Sequence, residues 1–274
     1  SVRCTKDEYS LEVALRGNGS VTPVSGYFDP EATVTVTATP ENGWEFVGWS
    51  GDASGTDNPL TVTMDEAKTI TALFGIPGKD YVTEVVEVTN SVTGKTWMDR
   101  NLGASRAATS STDTEAYGDL YQWGRASDGH EKRSSGTTIT LSSSDSPTHE
   151  NFITPSDSPY DWRNPQNDNL WQGEDGINNP CPAGYRIPTE AEWSSEVTSW
   201  SDSDDDAAYA SVLQLTTGGY RYRDGTFRNV DTNGYYWSSN IDLERSRSLS
   251  ISSSSANMGS GYRSSGNAIR CIKD

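Results

Sequence analysis

The chain has 274 residues and a formal net charge of −18, from 39 Asp+Glu against 21 Lys+Arg. A field of that sign repels nucleic-acid phosphates and anionic lipid alike. No run approaches the roughly 20 apolar residues that cross a bilayer as a helix. Membrane insertion is therefore not expected, and the partners are expected to be proteins, glycans or other neutral surfaces.

Apolar residues make up only 32 %, but nine Trp and 13 Tyr offset this, because each aromatic ring buries a large area. The 25 Gly and 12 Pro point to short strands and irregular loops. The length suggests about two domains. Three cysteines, Cys4, Cys181 and Cys271, form no metal-ligand spacing. In an oxidising compartment two of them pair and one is left over; the alternative is three buried thiols. A composition rich in Ser, Thr and Asn suits secretion.

Residues 1–8 come first. Ser1 to Asp7 (SVRCTKD) nearly duplicates Ala268 to Asp274 (AIRCIKD). The expectation is a unit cut from a tandem array, its start being the tail of a preceding repeat or a tag-like segment, with Cys4 an orphan thiol. There is no Met at position 1 and no basic-plus-apolar leader, so a mature or excised segment of a larger multidomain or virion protein is expected.

Residues 9–75 read as one all-β unit. Thr33 to Ala38 and Leu60 to Met64 alternate in polarity, and turn signals fall at Gly17-Asn18-Gly19, Pro40 to Gly43 and Gly51 to Gly55. Trp44, Phe46 and Trp49 are expected to anchor its core; a sugar-binding role for Trp44 and Trp49 is the weaker reading. The succession GNGSVTP…GYFDPEATVTVTATPENGWEFVGWSGD…TVTMDEAKTITALF resembles the divergent InlB-type B-repeat family, which implies a compact β spacer common in bacterial surface proteins.

Residues 76–80 read as a linker, and Tyr81 to Val88 as a strand followed by the turn Ser91 to Gly94. The stretch Asp128 to Ser158 is Ser/Thr/Asp-rich and reads as a long surface insertion. Thr189 to Trp200 is expected to be helical, with Thr189 as N-cap, Glu192 three residues on, and Trp193 and Val197 on one face. Asp202 to Asp206 reads as a solvated acidic run.

From Val85 onward several motifs follow in order: GKTWMDRNLG, YGDLYQWGRASDG, DWRNPQNDNLWQG, NPCPAGYRIPTEAEW, GYYWSSN and the closing AIRCIKD. Together they resemble the Fibrobacter-succinogenes-type major paralogous domain, a branch of the C-type-lectin and formylglycine-generating-enzyme fold group. The resemblance implies a twisted antiparallel sheet, one or two helices and much loop. It also implies a tail that returns beside early strands, which fits a Cys181–Cys271 bridge. The expected class is thus α+β and β-rich, a small all-β B-repeat-like domain followed by a C-type-lectin-like domain at 81–274.

Twelve of the 28 residues from Ser238 to Ser265 are serine. Yet Leu249 and Ile251 alternate with Ser248, Ser250 and Ser252, the pattern of a half-buried strand rather than a linker. Ala256, Met258, Ile269 and Cys271 supply further inward candidates. Segment 237–271 resembles the variable region of proteins targeted by diversity-generating retroelements. Those systems mutate adenines, and the residues expected to be exposed lie within the set an AAY codon reaches: Ser248, Ser250, Ser252, Ser255, Asn257, Gly259, Ser260, Gly261, Ser264, Ser265 and Asn267. Met258 and Glu244 fall outside it and are expected to be scaffold. Ser, Gly and Asn suit adaptable hydrogen bonding, whereas hot spots need Trp, Tyr or Arg. Arg245, Arg247 and Tyr262 complete the expected binding face, with Tyr235 and Tyr236 nearby. Arg263 is a further candidate, although the family pattern keeps an Arg there. So few aromatic anchors imply weak binding.

No catalytic residues are expected. The oxidase of this fold group needs a reactive cysteine pair, and an iron-dependent branch needs several histidines. The chain has two, His130 and His149, both expected to be solvated in the polar insertion. GxSxG, HExxH and P-loop spacings are missing from the sequence. No cofactor is expected, although Asp168, Asp175 or loop carbonyls suit a structural calcium. Asn164 to Asp168 only loosely echoes the sugar-binding motif of calcium-dependent lectins. The expected function is an extracellular ligand-binding or adhesion module, a variable protein on a bacterial surface or phage virion, binding protein or glycan on a cell. The alternative is an invariant structural repeat of a surface protein.

Overall fold

Short runs that mix polar with apolar residues, clearest where threonine alternates with aliphatics from Thr33 to Ala38 and from Leu60 to Thr63, build the first seven strands. In the computed structural model, which describes residues 8–16, 19–75, 77 and 83–274, they are β1 (Tyr9–Arg16), β2 (Gly19–Thr22), β3 (Gly26–Phe28), β4 (Thr33–Pro40), β5 (Glu45–Gly51), β6 (Leu60–Thr63) and β7 (Lys68–Gly75). Successive strand residues face opposite ways, so Val34, Val36 and Ala38 are buried while Thr33 and Thr35 are exposed. Two sheets result, ordered β3-β1-β7-β5 and β2-β4-β6, around Leu11, Val36, Met64, Ile70 and Phe74. Trp49 is buried, its indole N–H donating to the Asp57 carbonyl at 2.9 Å. Trp44 and Phe46 are only partly buried against this core, which rests more on aliphatic residues than expected.

The chain divides into two compact units, Ser1–Pro77 and Gly78–Asp274. The terminal duplication at Ser1 to Asp7 with Cys4, the turn residues Gly17 and Asn18, the linker residues 76 and 78–80, and Tyr81 and Val82 lie outside the described residues. Of the strand expected over Tyr81 to Val88, the described residues form a regular strand only at β8 (Glu87–Thr89).

The larger unit continues with β9 (Thr96–Met98), β10 (Tyr121–Gln122), β11 (Thr137–Thr138), β12 (Phe152–Ile153), β13 (Tyr185–Arg186), α1 (Glu190–Thr198) and α2 (Asp205–Ala210). Then come β14 (Gly218–Arg221), β15 (Phe227–Arg228), β16 (Asn233–Asp242), β17 (Arg245–Ser252), β18 (Ser255–Gly261), β19 (Gly266–Asn267) and β20 (Ile272–Lys273). The principal sheet runs β10-β19-β14-β16-β17-β18, with β15 beside β14. The tail strand β20 sits between β13 and β9, and Cys181 and Cys271 form a disulfide.

Local chemistry starts both helices. Thr189 and Glu192 form a reciprocal capping box at α1. Asp204 caps α2 by accepting from the Ala207 N–H, so the acidic run is not wholly solvated as expected. Trp193 of α1 is fully buried and packs with Trp97, Tyr236, Leu249 and Ile251.

Tryptophan burial organises the rest. A buried indole N–H is costly without an acceptor, and four of the buried tryptophans here donate to backbone carbonyls of distant strands and loops. Trp237 donates to the Tyr121 carbonyl at 2.7 Å, and Trp123 to the Ser238 carbonyl at 2.9 Å. Trp162 donates to the Trp123 carbonyl and Trp193 to that of Trp237.

The stretch from Asp128 to Ser158 is a surface insertion only in its middle. His130, Glu131, Phe152 and Ile153 are buried, and β11 and β12 pair in parallel. The expectation failed because two apolar residues and one histidine weigh little in a polar window, yet they pin both ends of the loop to the core.

Replacing Trp237 with Phe leaves the Tyr121 carbonyl without its donor and opens a void. The expected loss of stability is about 2–4 kcal/mol, measured by denaturant unfolding of the full chain against wild type.

Candidate ligand-binding groove

The antiparallel meander β16-β17-β18 sorts its residues by register. Tyr236 pairs with Leu249, Leu249 with Met258, and Ile251 with Ala256, and this face packs on α1. The opposite face carries Ser248 opposite Gly259 and Ser250 opposite Asn257 and Tyr235. Such small residues leave a trough between taller neighbours. Tyr220 and Tyr222 stand two positions apart at the end of β14 and line the same trough. The intervening Arg221 is buried, its guanidinium 4.3 Å above the Phe152 ring and bonded to Ser135.

The result is a groove of about 330 Å³ lined by Tyr220, Tyr222, Tyr235, Tyr262, Arg245 and the Ser/Gly/Asn floor. Its tyrosines form a connected array. Tyr220 lies 4.6 Å from Tyr235, Tyr222 lies 6.4 Å from Tyr262, and Tyr262 meets Tyr160 edge-on at 5.0 Å. Arginines stack among them: Arg223 lies 3.8 Å from the Tyr160 centroid, Arg228 3.7 Å from Tyr222 and Arg245 4.3 Å from Tyr262. Burial, then the neighbouring Tyr235, pushes the Tyr220 phenol above its ordinary value, which keeps it a neutral hydroxyl.

Nine of the fourteen residues of the expected binding face meet at this groove: Arg245, Ser248, Ser250, Gly259, Ser260, Gly261, Tyr262, Ser265 and Asn267. Ser248, Ser265 and Asn267 are buried and make its floor, not an exposed surface as expected. Ser264 is fully buried and donates to the Tyr160 carbonyl. Ser252 and Ser255 bond each other at the β17–β18 turn. Asn257 is exposed, away from the groove lining. Arg247 is held by Glu190 of α1 at 2.6 Å. Arg263 is buried under Trp123 at 4.8 Å and paired with Asp168 at 2.7 Å. Both arginines are therefore already engaged, which corrects their assignment as free contacts. Glu244, expected as scaffold, is exposed.

The aromatic poverty expected of the face is also corrected. Tyr220 and Tyr222 reach it from a distant segment, and Tyr160 packs on its Tyr262. One sequence signal was available: Tyr220-Arg221-Tyr222-Arg223 alternates with period two, placing both tyrosines on one side of a strand.

Among the described residues, Asp168 and Asp175, expected to suit calcium, belong to no cluster of metal-ligating side chains. Asp168 is taken up by Arg263, and Asp175 is exposed. Among the described residues, Asp128, His130 and Glu131 are close enough to share an ion. Their donor atoms are engaged, however. His130, expected to be solvated, is fully buried; Nδ1 faces Asp128 at 2.6 Å and Nε2 accepts the Gln122 N–H. Arg125 holds the other Asp128 oxygen. Burial, then nearby Arg125, pushes the imidazole down to about 4, so it is neutral at ordinary pH. This is a buried polar knot whose charges are already compensated.

Burial pushes the neighbouring Glu131 carboxyl up to about 7. A folded-state value raised above the unfolded one favours the protonated form, so its stabilisation is present below the ordinary carboxylate range and lost as pH rises through about 7. His130 contributes the opposite slope between about 4 and its ordinary value. That window overlaps most of Glu131's, so only the comparison with a Glu131 variant isolates the carboxyl. Between pH 5 and pH 8 the wild type is expected to lose about 2 kcal/mol relative to Glu131→Gln, read from thermal melts of both proteins at the two pH values.

Residues 9–76 match the family model of the Divergent InlB B-repeat domain. This match fits a repeat of a bacterial surface protein. No curated protein matches the chain, and neither does any solved structure. Among the described residues no helix is long and apolar enough to cross a membrane.

Proposed function

We propose that the chain belongs to a bacterial cell-surface protein, in which the B-repeat-like unit is a spacer and the larger, C-type-lectin-like unit binds a ligand without catalysis. The observation that carries the binding reading is the groove itself, where a small-residue floor is walled by four tyrosines from three separate segments. Tyrosine supplies large rigid contact area at low entropic cost, and Ser, Gly and Asn supply adaptable hydrogen bonds. The C-type-lectin-like reading is supported by the tail strand β20, which pairs beside the early strand β9, and by the order of the sequence motifs. The ligand is a protein or glycan on a cell surface.

A second reading, an invariant structural repeat, is favoured by the family match over residues 9–76. The finer reading of a diversified face, displayed by a cell or a phage, has less room than expected. Ser248, Ser264, Ser265 and Asn267 are buried, and large replacements there would strain the core. The coding DNA decides this point. A near-copy of the segment encoding Trp237 to Asp274, beside a reverse transcriptase and differing only at adenines, is the expected sign of diversification; without such a template that reading fails.

Gly259 and Gly261 offer a direct test of the groove. A Cβ at Gly259 meets nothing within 4 Å, whereas one at Gly261 comes 2.9 Å from the Trp237 ring. Gly259→Phe is expected to fill the groove, leave the melting curve unchanged and lower saturable binding of the labelled chain to cell and glycan surfaces at least tenfold. Equal binding by variant and wild type would remove the groove from the mechanism. No saturable binding by the wild type would leave the structural-repeat reading.

A further inference from the structure

We propose that the groove is selective for an acidic saccharide, a sugar ring bearing a carboxylate or sulfate that is held by Arg223 and Arg245. This rests on the reading of the groove as a binding site and goes further in naming the ligand's chemistry.

The first observation is electrostatic. In a chain of net charge −18, carboxylates pair with most arginines: Arg100, Arg106, Arg125, Arg163, Arg186, Arg228, Arg247 and Arg263 all have such partners. Among the described residues, Arg133, Arg221, Arg223, Arg245 and Arg270 have no carboxylate within ion-pair distance. Arg133, Arg221 and Arg270 point inward and bond backbone carbonyls. Arg223 and Arg245 remain. Arg245 lines the groove, and Arg223 stands beside the lining tyrosines Tyr222 and Tyr262. The guanidinium carbons of Arg223 and Arg245 lie 5.3 and 4.3 Å from the Tyr262 centroid. The acids nearest in sequence are otherwise engaged or turned outward. Asp224 pairs with Arg228, Asp242 accepts from Ser260, and Glu244 is exposed.

The second observation is how the two arginines are held. Arg223 spends its Nε–H on the Tyr222 hydroxyl and Arg245 one Nη2–H on that of Tyr262. The rest of each donor fork is left for a planar oxyanion, the geometry in which arginine binds carboxylate or sulfate best. Stacking on tyrosine fixes the guanidinium plane before a ligand arrives, which lowers the ordering cost of binding.

The third observation concerns the lining between the charges. Four tyrosines line the groove and their rings offer its apolar area, while Ser248, Ser250, Ser265 and Asn267 offer hydroxyls and an amide. No Leu, Ile, Val, Phe or Met lines it, so an apolar peptide anchor finds no matching pocket. A sugar ring presents an apolar C–H face to tyrosine and a rim of hydroxyls to Ser and Asn. The volume of about 330 Å³ lies at the small end of ligand sites, which run from about 300 Å³ upward, and suits a terminal residue better than a long segment.

Ligand-observed NMR with the full chain tests this, using methyl β-D-glucuronide and glucose 6-sulfate against methyl β-D-glucoside, with a short poly-Glu peptide in parallel. The expected result is saturable binding of at least one acidic sugar, at least tenfold tighter than the glucoside and weakened by added salt. Arg223→Gln with Arg245→Gln should abolish that preference, with melting curve and residual glucoside binding retained; Gly259→Phe should abolish both. Equal affinity for acidic and neutral sugars, or an unchanged preference in the double variant, overturns the anionic reading while leaving the groove in place. Binding of poly-Glu but no sugar assigns the groove to an acidic protein segment and overturns the saccharide. Binding of all probes unchanged by Gly259→Phe overturns the groove itself.

Discussion

Two indoles hold the larger unit together by crossing between strands that are far apart in sequence. Trp123, just after β10, donates to the carbonyl of Ser238 in β16, and Trp237 in β16 donates to the carbonyl of Tyr121 in β10. Each ring fills core volume and also donates its N–H to a carbonyl on the other's strand. Trp162 and Trp193 then bond to the backbone of Trp123 and Trp237 themselves, so a loop and helix α1 hang on the same pair. A chain with few aliphatic residues thereby obtains a core: large rings provide the buried area, and their N–H groups lock the register that small apolar residues would leave free to slide.

That lock frees the meander for another use. With Tyr236, Leu249 and Ile251 committed to the α1 side, the far face of β17 and β18 can be built from serine and glycine without loss of core. A floor of small side chains would be featureless on a flat sheet. Here β14 runs parallel beside β16, which brings Tyr220 alongside Tyr235, and the returning tail brings Tyr262 between Tyr222 and Tyr160. The groove therefore follows from topology, not from any one segment.

The charge balance has a similar logic. A net charge of −18 leaves acids in excess, so a guanidinium without a carboxylate partner is notable. Those directed inward satisfy backbone carbonyls: Arg270 is fully enclosed, reaching Met98 and Leu213, and burial pushes its guanidinium down to about 10. Arg245 in the groove and Arg223 beside it are stabilised by tyrosine rings instead. Aromatic faces keep a cation soluble in its surroundings without neutralising it.

What the sequence determined by itself was whatever depends on neighbours along the chain. The Thr33–Ala38 alternation, the Thr189–Glu192 capping box and the inward set of Leu249 and Ile251 were all legible, because strand and helix periods act over a few residues. The Ser-rich stretch was correctly separated from a linker on the same ground. Tertiary structure decided what depends on partners far away. His130 lies in a polar loop, yet its ring is buried because Arg125, Asp128 and the Gln122 amide close around it. Ser264 and Asn267 sit among serines and glycines, yet the crossing of β19 between β10 and β14 buries them. Arg245 and Arg247 are two residues apart and alike in sequence, yet one stacks on Tyr262 and the other is held by Glu190. Composition cannot tell such residues apart, since burial and pairing are set by strand order and register, and these are fixed only when the tryptophan core closes.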